Sequence, residues 1–168
     1  IMLKYTGYIR KIRYYSESSH YIVALLEVEE DQELLTMNGY MSNFNDYDKY
    51  AFYGDFEIHP KYGQQFKLDH YEIVLSTDEE EIIKYLSSPL FKGIGTTQAK
   101  YIVDALGENA LSLIKEDKHH LDLVKGMTVA KRELIYEVLT SNDYDQEVTQ
   151  FFMGHGISLR HIGIIQET

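Results

Sequence analysis

The stretch Tyr50-Ala51-Phe52-Tyr53-Gly54-Asp55-Phe56-Glu57-Ile58 indicates the fold class of the first half of the chain. Within it the apolar Phe52 and Phe56 fall on one side of an extended backbone, and the acidic Asp55 and Glu57 fall on the other. A period of two residues is typical of a strand that buries one face and exposes the other. The stretch therefore predicts a half-buried β-strand.

Segments with the same aromatic and β-branched character lie on both sides of this strand. They predict four further strands, over residues 5–12, 21–28, 34–41 and 65–74. In the last of these the alternation changes phase between Leu68 and Tyr71, which predicts a β-bulge near Asp69 and His70. Five short strands in about 75 residues favour a small closed barrel, for which the five-stranded OB fold is the usual solution. A small SH3-like barrel is the alternative.

The pattern becomes helical after Ser76. Ser76 and Thr77 can cap a helix, the carboxylates of residues 78–81 favour its first turn, and Pro89 predicts its end near residues 87–88. Further helices are predicted over residues 96–106 (with Gly107 as C-cap), 108–116, 129–140 and 145–154. The predicted fold is thus α+β, with an OB-like barrel over residues 1–76 and a helical domain over residues 77–168.

Two segments of the helical half repeat each other, because residues 90–106 align without a gap to residues 123–139. Each copy has an apolar pair, Lys-Gly, an apolar residue, a turn residue and then an amphipathic helix. This order is the helix–hairpin–helix pattern. We expect Gly93 and Gly95 to permit a tight turn where a Cβ would clash, and Ile94 to plug the turn between the helices.

The turn in each copy is a candidate DNA-binding site. The helix that follows begins with backbone N–H groups that lack an intrahelical partner, and these donors suit a phosphate oxygen without much positive charge. Such contacts would position DNA without reading its sequence. Thr128 stands where the first copy has Gly95, which predicts a poorer phosphate site in the second copy. The candidate residues are Lys92, Gly93, Ile94, Gly95, Thr96, Thr97 and Lys100, and in the second copy Lys125, Gly126, Thr128, Lys131 and Arg132.

The formal net charge of −11 opposes a mode of DNA binding that relies on a basic surface. Residues 1–76 alone carry 7 basic and 12 acidic side chains. The barrel could still stack bases of a single strand on exposed aromatic rings, or it could dock on another protein. The aromatic residues considered for stacking are Tyr14, Tyr15, Tyr21, Tyr53, Tyr62 and Phe66.

Other kinds of site find little support in the sequence. The chain has no cysteine, which excludes disulfides and thiolate metal sites, and His59, His70 and the pair His119-His120 lack an obvious further ligand. Ser18, Ser19 and His20 have no positioned acid, so no hydrolase and no catalytic residue is predicted. Without a long apolar run or a signal peptide, the sequence predicts a cytoplasmic protein with no membrane partner.

Three segments of the chain carry a resemblance to one known protein family. His59-Pro60-Lys61-Tyr62-Gly63-Gln64-Gln65-Phe66 looks like the motif at the end of the N-terminal barrel in that family. Residues 83–88 followed by Lys92-Gly93-Ile94-Gly95 look like the entry to its helix–hairpin–helix region. Phe151-Phe152 with His155-Gly156-Ile157-Ser158 is similar to its next unit, which we expect to be a truncated third hairpin unit. The segments thus resemble the N-terminal region of bacterial RecD-like DNA helicases, the RecD/TraA type that is similar to the exodeoxyribonuclease V α subunit.

The resemblance implies a parent protein that is a superfamily 1, ATP-dependent 5′-to-3′ helicase of DNA repair and recombination. Its motor would bind ATP and Mg²⁺ and would be a partner of this region, together with single-stranded or forked DNA. The chain itself has no Gly-x4-Gly-Lys-Ser/Thr phosphate-binding loop, so we expect neither cofactor nor helicase activity in it. Two alternatives remain. One is a protein-interaction module that docks on the helicase body or on a partner protein, and the other is a RuvA-like junction-binding protein, which has the same order of barrel and hairpins.

Overall fold

The computed structural model describes residues 1–30 and 33–141, which form two compact units. The barrel unit comprises Ile1–Val74, and the helical unit begins at Leu75. The helix predicted over residues 145–154 and the third hairpin unit lie outside the described residues.

The barrel unit is a closed five-stranded barrel. Its strands are β1 (Leu3–Tyr15), β2 (Tyr21–Val28), β3 (Leu34–Tyr40), β4 (Lys49–His59) and β5 (Gly63–Val74). They follow one another around the barrel in the order β1-β2-β3-β5-β4. Every pairing is antiparallel except that of β3 with β5, which is parallel. The predicted OB-like barrel, within an α+β fold, is confirmed.

The alternation read from the sequence fills the barrel. On β2, Ile22, Ala24 and Leu26 are fully buried, while the residues between them face outwards. The predicted bulge is present: Tyr53 pairs with His70 and Gly54 with Leu68, so Asp69 is the extra residue.

One residue of the buried face departs from the alternation. Ile58 shares the parity of Phe52, yet it is 84% exposed because it lies next to the end of β4, beside the turn into β5. The alternation predicts which side of the strand a residue occupies, but not how far the core extends along it.

The helical unit contains α1 (Glu79–Leu86), α2 (Thr96–Leu106), α3 (Ala110–Glu116) and α4 (Val129–Thr140). The bounds predicted for α2 and α4 are confirmed. The segment predicted as one helix over residues 108–116 is instead a 3₁₀ turn, Gly107–Asn109, followed by α3. A second 3₁₀ turn, Lys118–Leu123, leads into the second repeat. None of the described helices is long and apolar enough to cross a membrane.

The cap of α1 is not one of the residues expected. Asp78 is the N-cap, and its carboxylate accepts a hydrogen bond of 2.9 Å from the Glu81 amide. The Ser76 hydroxyl instead donates to the Glu81 carboxylate at 2.6 Å. Asp78 can therefore satisfy an open amide while its charge also complements the helix dipole.

The helical unit has its own apolar core. The residues buried in it come from all four helices and from the loops between them, and include Ile82, Leu86, Phe91, Ile94, Ala99, Ile102, Ile114, Leu121, Val124 and Ile135. Four of these, Phe91, Ile94, Leu121 and Val124, belong to the segments that precede α2 and α4. The core therefore fixes the position of both loops.

Candidate nucleic-acid interface

The two repeated loops have the same backbone structure. Loop 1 (residues 91–95) precedes α2, and loop 2 (residues 124–128) precedes α4. Gly93 and Gly126 occupy equivalent positions with φ of 85° and 76°, a left-handed conformation that favours glycine. The backbone hydrogen bonds also recur at equivalent positions of the two copies: Phe91 N to Ser88 O (3.1 Å) and Ile94 N to Phe91 O (3.1 Å), then Val124 N to Leu121 O (3.0 Å) and Met127 N to Val124 O (3.2 Å).

Ile94 anchors loop 1, as the sequence predicts. Its side chain is only 4% exposed and belongs to the core of the helical unit, while Gly93, Gly95 and Thr96 around it are exposed. The Ile94 amide already donates to the Phe91 carbonyl. The loop is thus held from below by one apolar side chain, and its outer surface is open to solvent.

The start of α2 leaves backbone donors available. Gly95 is the N-cap, in an extended conformation, and forms no side-chain cap. The amides of Thr96, Thr97 and Gln98 donate to no acceptor in the described part of the chain. Open amides and the positive end of the helix dipole together favour an anion at this position.

The start of α4 is closed by its own cap. Thr128 occupies the position of Gly95, and its hydroxyl accepts a hydrogen bond of 3.2 Å from the Lys131 amide. Loop 2 therefore has one donor fewer for a ligand than loop 1, which gives a physical reason for the expected weakness of the second copy.

The sequence predicted that a Cβ at Gly95 would clash with the turn, and this prediction was wrong. A Cβ built on Gly95 meets no atom within 4 Å, and its φ of −91° is open to any residue. At Gly93 a Cβ also meets nothing within 4 Å, and it is the positive φ that requires glycine. No clash inside the unit therefore excludes a side chain at either position.

Gln98 joins the two loops. Its side-chain amide donates to the Lys125 carbonyl of loop 2 at 2.9 Å, and its side-chain oxygen accepts from the Lys131 ammonium at 3.4 Å. Gln98 and Lys131 are equivalent positions in the gapless alignment of the two repeats. Contact between equivalent positions is what an approximate local two-fold axis produces. The starts of α2 and α4 therefore lie side by side on one surface of the helical unit.

Acidic side chains are absent from the sequence around both loops. Residues 82–103 include three lysines and no Asp or Glu, and residues 123–132 include two lysines and one arginine with no Asp or Glu. Lys92 and Lys100 are exposed and form no ion pair with a described residue. The acidic residues that give the chain its negative charge are thus excluded from these two segments.

The basic residues of the second repeat are partly engaged. The Lys125 ammonium lies 5.1 Å from the centre of the Tyr101 ring, a cation–π contact. Arg132 donates to Asp122 at 2.9 Å and to Glu133 at 3.2 Å, and the Glu133 carboxylate also accepts from Lys118 at 3.0 Å. The Arg132 guanidinium is thus engaged by protein carboxylates rather than free for a phosphate.

The same ion pairs shift the pKa values of the acids. Hydrogen bonds from His119 and then from Arg132 lower the pKa of Asp122. Hydrogen bonds from Lys118 and then from Arg132 lower the pKa of Glu133. Both carboxylates are therefore charged at neutral pH and hold Arg132 at the side of loop 2.

The aromatic residues of the barrel differ widely in exposure. Phe66 is fully buried, Tyr15, Tyr21 and Tyr53 are partly buried, and Tyr14 and Tyr62 are 55% and 65% exposed. Only Tyr14 and Tyr62, among the six rings considered from the sequence, therefore have enough free surface to stack a base.

The histidines considered as metal ligands or catalytic residues make contacts within the protein. His119 bonds to Asp122 at 2.9 Å, and the His120 ring bonds to the Leu113 carbonyl at 2.8 Å. Among the residues that the structure describes, no group of three metal-ligating side chains comes together. His20 ends the turn after β1 with a φ of 63°, and its amide donates to the Ser16 carbonyl at 2.7 Å.

Comparison with known protein families finds a match for the barrel unit. Residues 2–76 match the family of the OB-fold domain of the ATP-dependent DNA helicase YrrC. The match covers less than half of the chain and does not include the helical unit. No solved structure matches the chain. The barrel is thus similar to an OB-fold domain of a DNA helicase, and the predicted relation is confirmed at that level.

Proposed function

We propose that this chain is a non-catalytic N-terminal region of a RecD-like superfamily 1 helicase, and that its helical unit holds DNA by the phosphate backbone. The match of residues 2–76 to a helicase OB-fold domain supports the relation to a helicase. The repeated loops support the assignment of tandem helix–hairpin–helix motifs, because their backbone bonds recur at the positions that the sequence repeat aligns. The motor that would use ATP and Mg²⁺ belongs to the parent protein.

The observation that carries the proposal is the open start of α2 above a buried Ile94. A phosphate oxygen placed there accepts hydrogen bonds from the Thr96 and Thr97 amides, and the helix dipole favours its charge. Lys92 and Lys100 add positive charge on an acid-free segment. Because loop 1 supplies neutral donors on a rigid core, it binds the backbone of DNA without a basic protein surface and without sequence preference.

The second loop gives a further, weaker contact. Gln98 holds loop 2 beside the start of α2, and Lys125, Gly126 and Lys131 surround it. Two adjacent contacts fix the orientation of the bound backbone across the two loops as well as its position. Such a region would hold single-stranded or forked DNA in place while the motor moves along it.

A docking role is the competing proposal. The surplus of carboxylates in the barrel, with 7 basic and 12 acidic side chains in residues 1–76, favours a protein surface over DNA there. In this case the helical unit would be a scaffold, and the open amides of α2 would have water as their only partner.

The two proposals can be separated by a matched pair of glycine variants. Gly93 and Gly107 both have positive φ, 85° and 76°, and an added Cβ meets nothing within 4 Å at either. Gly93→Ala and Gly107→Ala each place a Cβ on a residue of positive φ, so both variants are strained, but only Gly93 lies in loop 1. We expect labelled single-stranded and forked DNA at low salt to bind the parent chain and Gly107→Ala alike, and to bind Gly93→Ala more weakly. Equal binding by the two variants, or no binding by the folded parent chain, would favour docking.

A further inference from the structure

The turn between β4 and β5 is fixed by an unusual set of contacts. The His59 ring nitrogen Nδ1 accepts hydrogen bonds from two backbone amides, Lys61 N at 3.1 Å and Tyr62 N at 3.2 Å. Pro60 has a fixed φ, and Gly63 supplies the left-handed residue (φ 77°) with which β5 begins. The three residues of the turn therefore have little conformational freedom.

This fixed turn presents an aromatic ring to solvent. The Tyr62 side chain is 65% exposed, more than any other tyrosine described. The His59 ring supports it, with 4.8 Å between ring centres and 34° between planes, and the Lys61 ammonium lies 5.3 Å from the ring centre. A large exposed ring that is already ordered loses little entropy when a flat ligand covers it.

The positive charge of the residues in and after the turn favours an anionic ligand. Residues 58–68 contain Lys61 and Lys67 and no Asp or Glu, although the barrel as a whole is acidic. Tyr14 and Tyr40, which both pack against the partly buried Tyr21, are poorer candidates because they are less exposed than Tyr62, at 55% and 43%.

We propose that the β4–β5 turn is a base-stacking site for single-stranded DNA, with Tyr62 as the platform and Lys61 beside the backbone phosphate. An unpaired base supplies the flat face that the ring can cover, and its phosphate supplies the anion for the ammonium. This contact lies in the barrel and does not depend on loop 1, so it adds a second point at which the chain would hold an unpaired strand.

A base-stacking contact can be tested with two oligomers of the same length, a labelled thymidine 12-mer and its abasic equivalent, which keeps the phosphates but lacks the bases. The full 168-residue chain and its variants are titrated with each at low salt. Tyr62→Ala should weaken binding of the thymidine oligomer by roughly 5- to 150-fold, the loss of one stacked base, and should leave the abasic oligomer unaffected. Tyr62→Trp should restore binding of the thymidine oligomer.

The matched control is Tyr47→Ala. Tyr47 is also exposed (41%), but it precedes the opposite end of β4. Its loss should change neither titration. A Gly95→Thr variant in the helical unit should weaken both oligomers equally, because the contact at loop 1 is to phosphate. Thus failure of the loop 1 contact and failure of the Tyr62 contact give different results.

Two outcomes would overturn the stacking site. The first is a Tyr62→Ala chain that binds the thymidine oligomer as the parent does, which would leave the exposed ring for a protein partner. The second is an equal loss for both oligomers, which would show that Tyr62 does not act through a base.

Discussion

At the scale of single residues, the N-caps of α2 and α4 share a backbone conformation but differ in their side chains. Gly95 and Thr128 both have extended backbones, with φ of −91° and −113°, and both precede a helix by one residue. Thr128 caps its own helix through the Lys131 amide, whereas Gly95 leaves the amide of Gln98 open. A side chain would fit at Gly95, so the absence of a cap there leaves room for a ligand oxygen.

The first prediction concerns Gly95→Thr. The new hydroxyl should cap α2 as Thr128 caps α4, and the melting temperature should stay the same or rise slightly, because Gly and Thr differ by only a few tenths of a kcal/mol at this position. DNA binding should weaken, since the hydroxyl takes the amide and the space that a phosphate needs. Thermal melting and fluorescence anisotropy check the two effects. Unchanged affinity in the capped variant would contradict the proposed contact.

The second prediction is the reverse substitution. Thr128→Gly should open the start of α4 and lower the free energy of unfolding by a few tenths of a kcal/mol. Affinity for DNA should stay the same or increase, because loop 2 then offers the same donors as loop 1. A clear loss of affinity, at intact helical content, would show that the Thr128 side chain itself contacts DNA.

The sequence alone predicts loop 1, but it does not give the reason for each of the glycines in that loop. Lys92-Gly93-Ile94-Gly95 and its copy at residues 125–128 indicated both the turn and the buried Ile94. The reason for each glycine depends on the backbone dihedrals, which a sequence pattern does not contain. The contact of Gln98 with loop 2 was missed for a similar reason, since it arises from the way two repeats face each other.

At the scale of elements, strand and helix bounds were well predicted wherever a strong local signal marks them. Alternation marked β2, and Gly107 after the last apolar residue marked the end of α2. The errors arose where two signals compete. Asp78 rather than Ser76 caps α1, because both side chains are suitable and only the backbone geometry decides.

A third prediction tests the bulged pair of β4 and β5. A Cβ on Gly54 would lie 2.0 Å from the Lys67 carbonyl oxygen, so the strands must separate in Gly54→Ala. We expect a loss of about 3 kcal/mol in the free energy of unfolding of the barrel. Urea unfolding followed by near-UV circular dichroism reports on the barrel, which holds 11 of the 15 tyrosines. Gly95→Ala, where a Cβ meets nothing, is the control, and equal stability of the two variants would refute the close approach.

A fourth prediction concerns the ion pairs beside loop 2. Because hydrogen bonds from His119 and Arg132 lower the pKa of Asp122, its stabilising effect is present above the usual carboxyl range and is lost as the pH falls through the lowered pKa. The difference in melting temperature between the parent and Asp122→Asn should therefore shrink between about pH 5 and pH 3. Asp104→Asn, at an exposed position that forms no ion pair with a described residue, is the control. A constant difference over this range would contradict the role of the ion pair.

At the scale of the whole molecule, the net charge disfavours DNA binding, whereas the local charge around the two loops favours it. The chain carries a charge of −11, yet both loops lie in segments without a single carboxylate. Composition alone therefore predicts weak DNA binding. The acid-free segments around the two loops favour DNA binding locally. The family match supports a helicase relation for residues 2–76, whereas the open start of α2 supports DNA binding by the helical unit.

A fifth prediction follows from this distribution of charge. If Lys92 and Lys100 neutralise about two phosphates, they should contribute roughly −1.4 to the slope with which the logarithm of the association constant for single-stranded DNA falls against the logarithm of salt concentration. Lys92→Ala should make the slope shallower by about 0.7. A parent slope much steeper than roughly −3.5, the value for all five lysines proposed to lie near phosphate, would indicate a broad basic surface, which this distribution of charge does not provide. These five are Lys61, Lys92, Lys100, Lys125 and Lys131.

The central claim is that a phosphate oxygen bonds to the amides at the start of α2. The most direct measurement is a titration of the ¹⁵N-labelled chain with a single-stranded oligonucleotide, followed by amide resonances in two-dimensional NMR. We predict saturable shifts at Thr96, Thr97 and Gln98 that Gly95→Thr reduces. Binding of the oligonucleotide with these three amides unmoved would contradict the account.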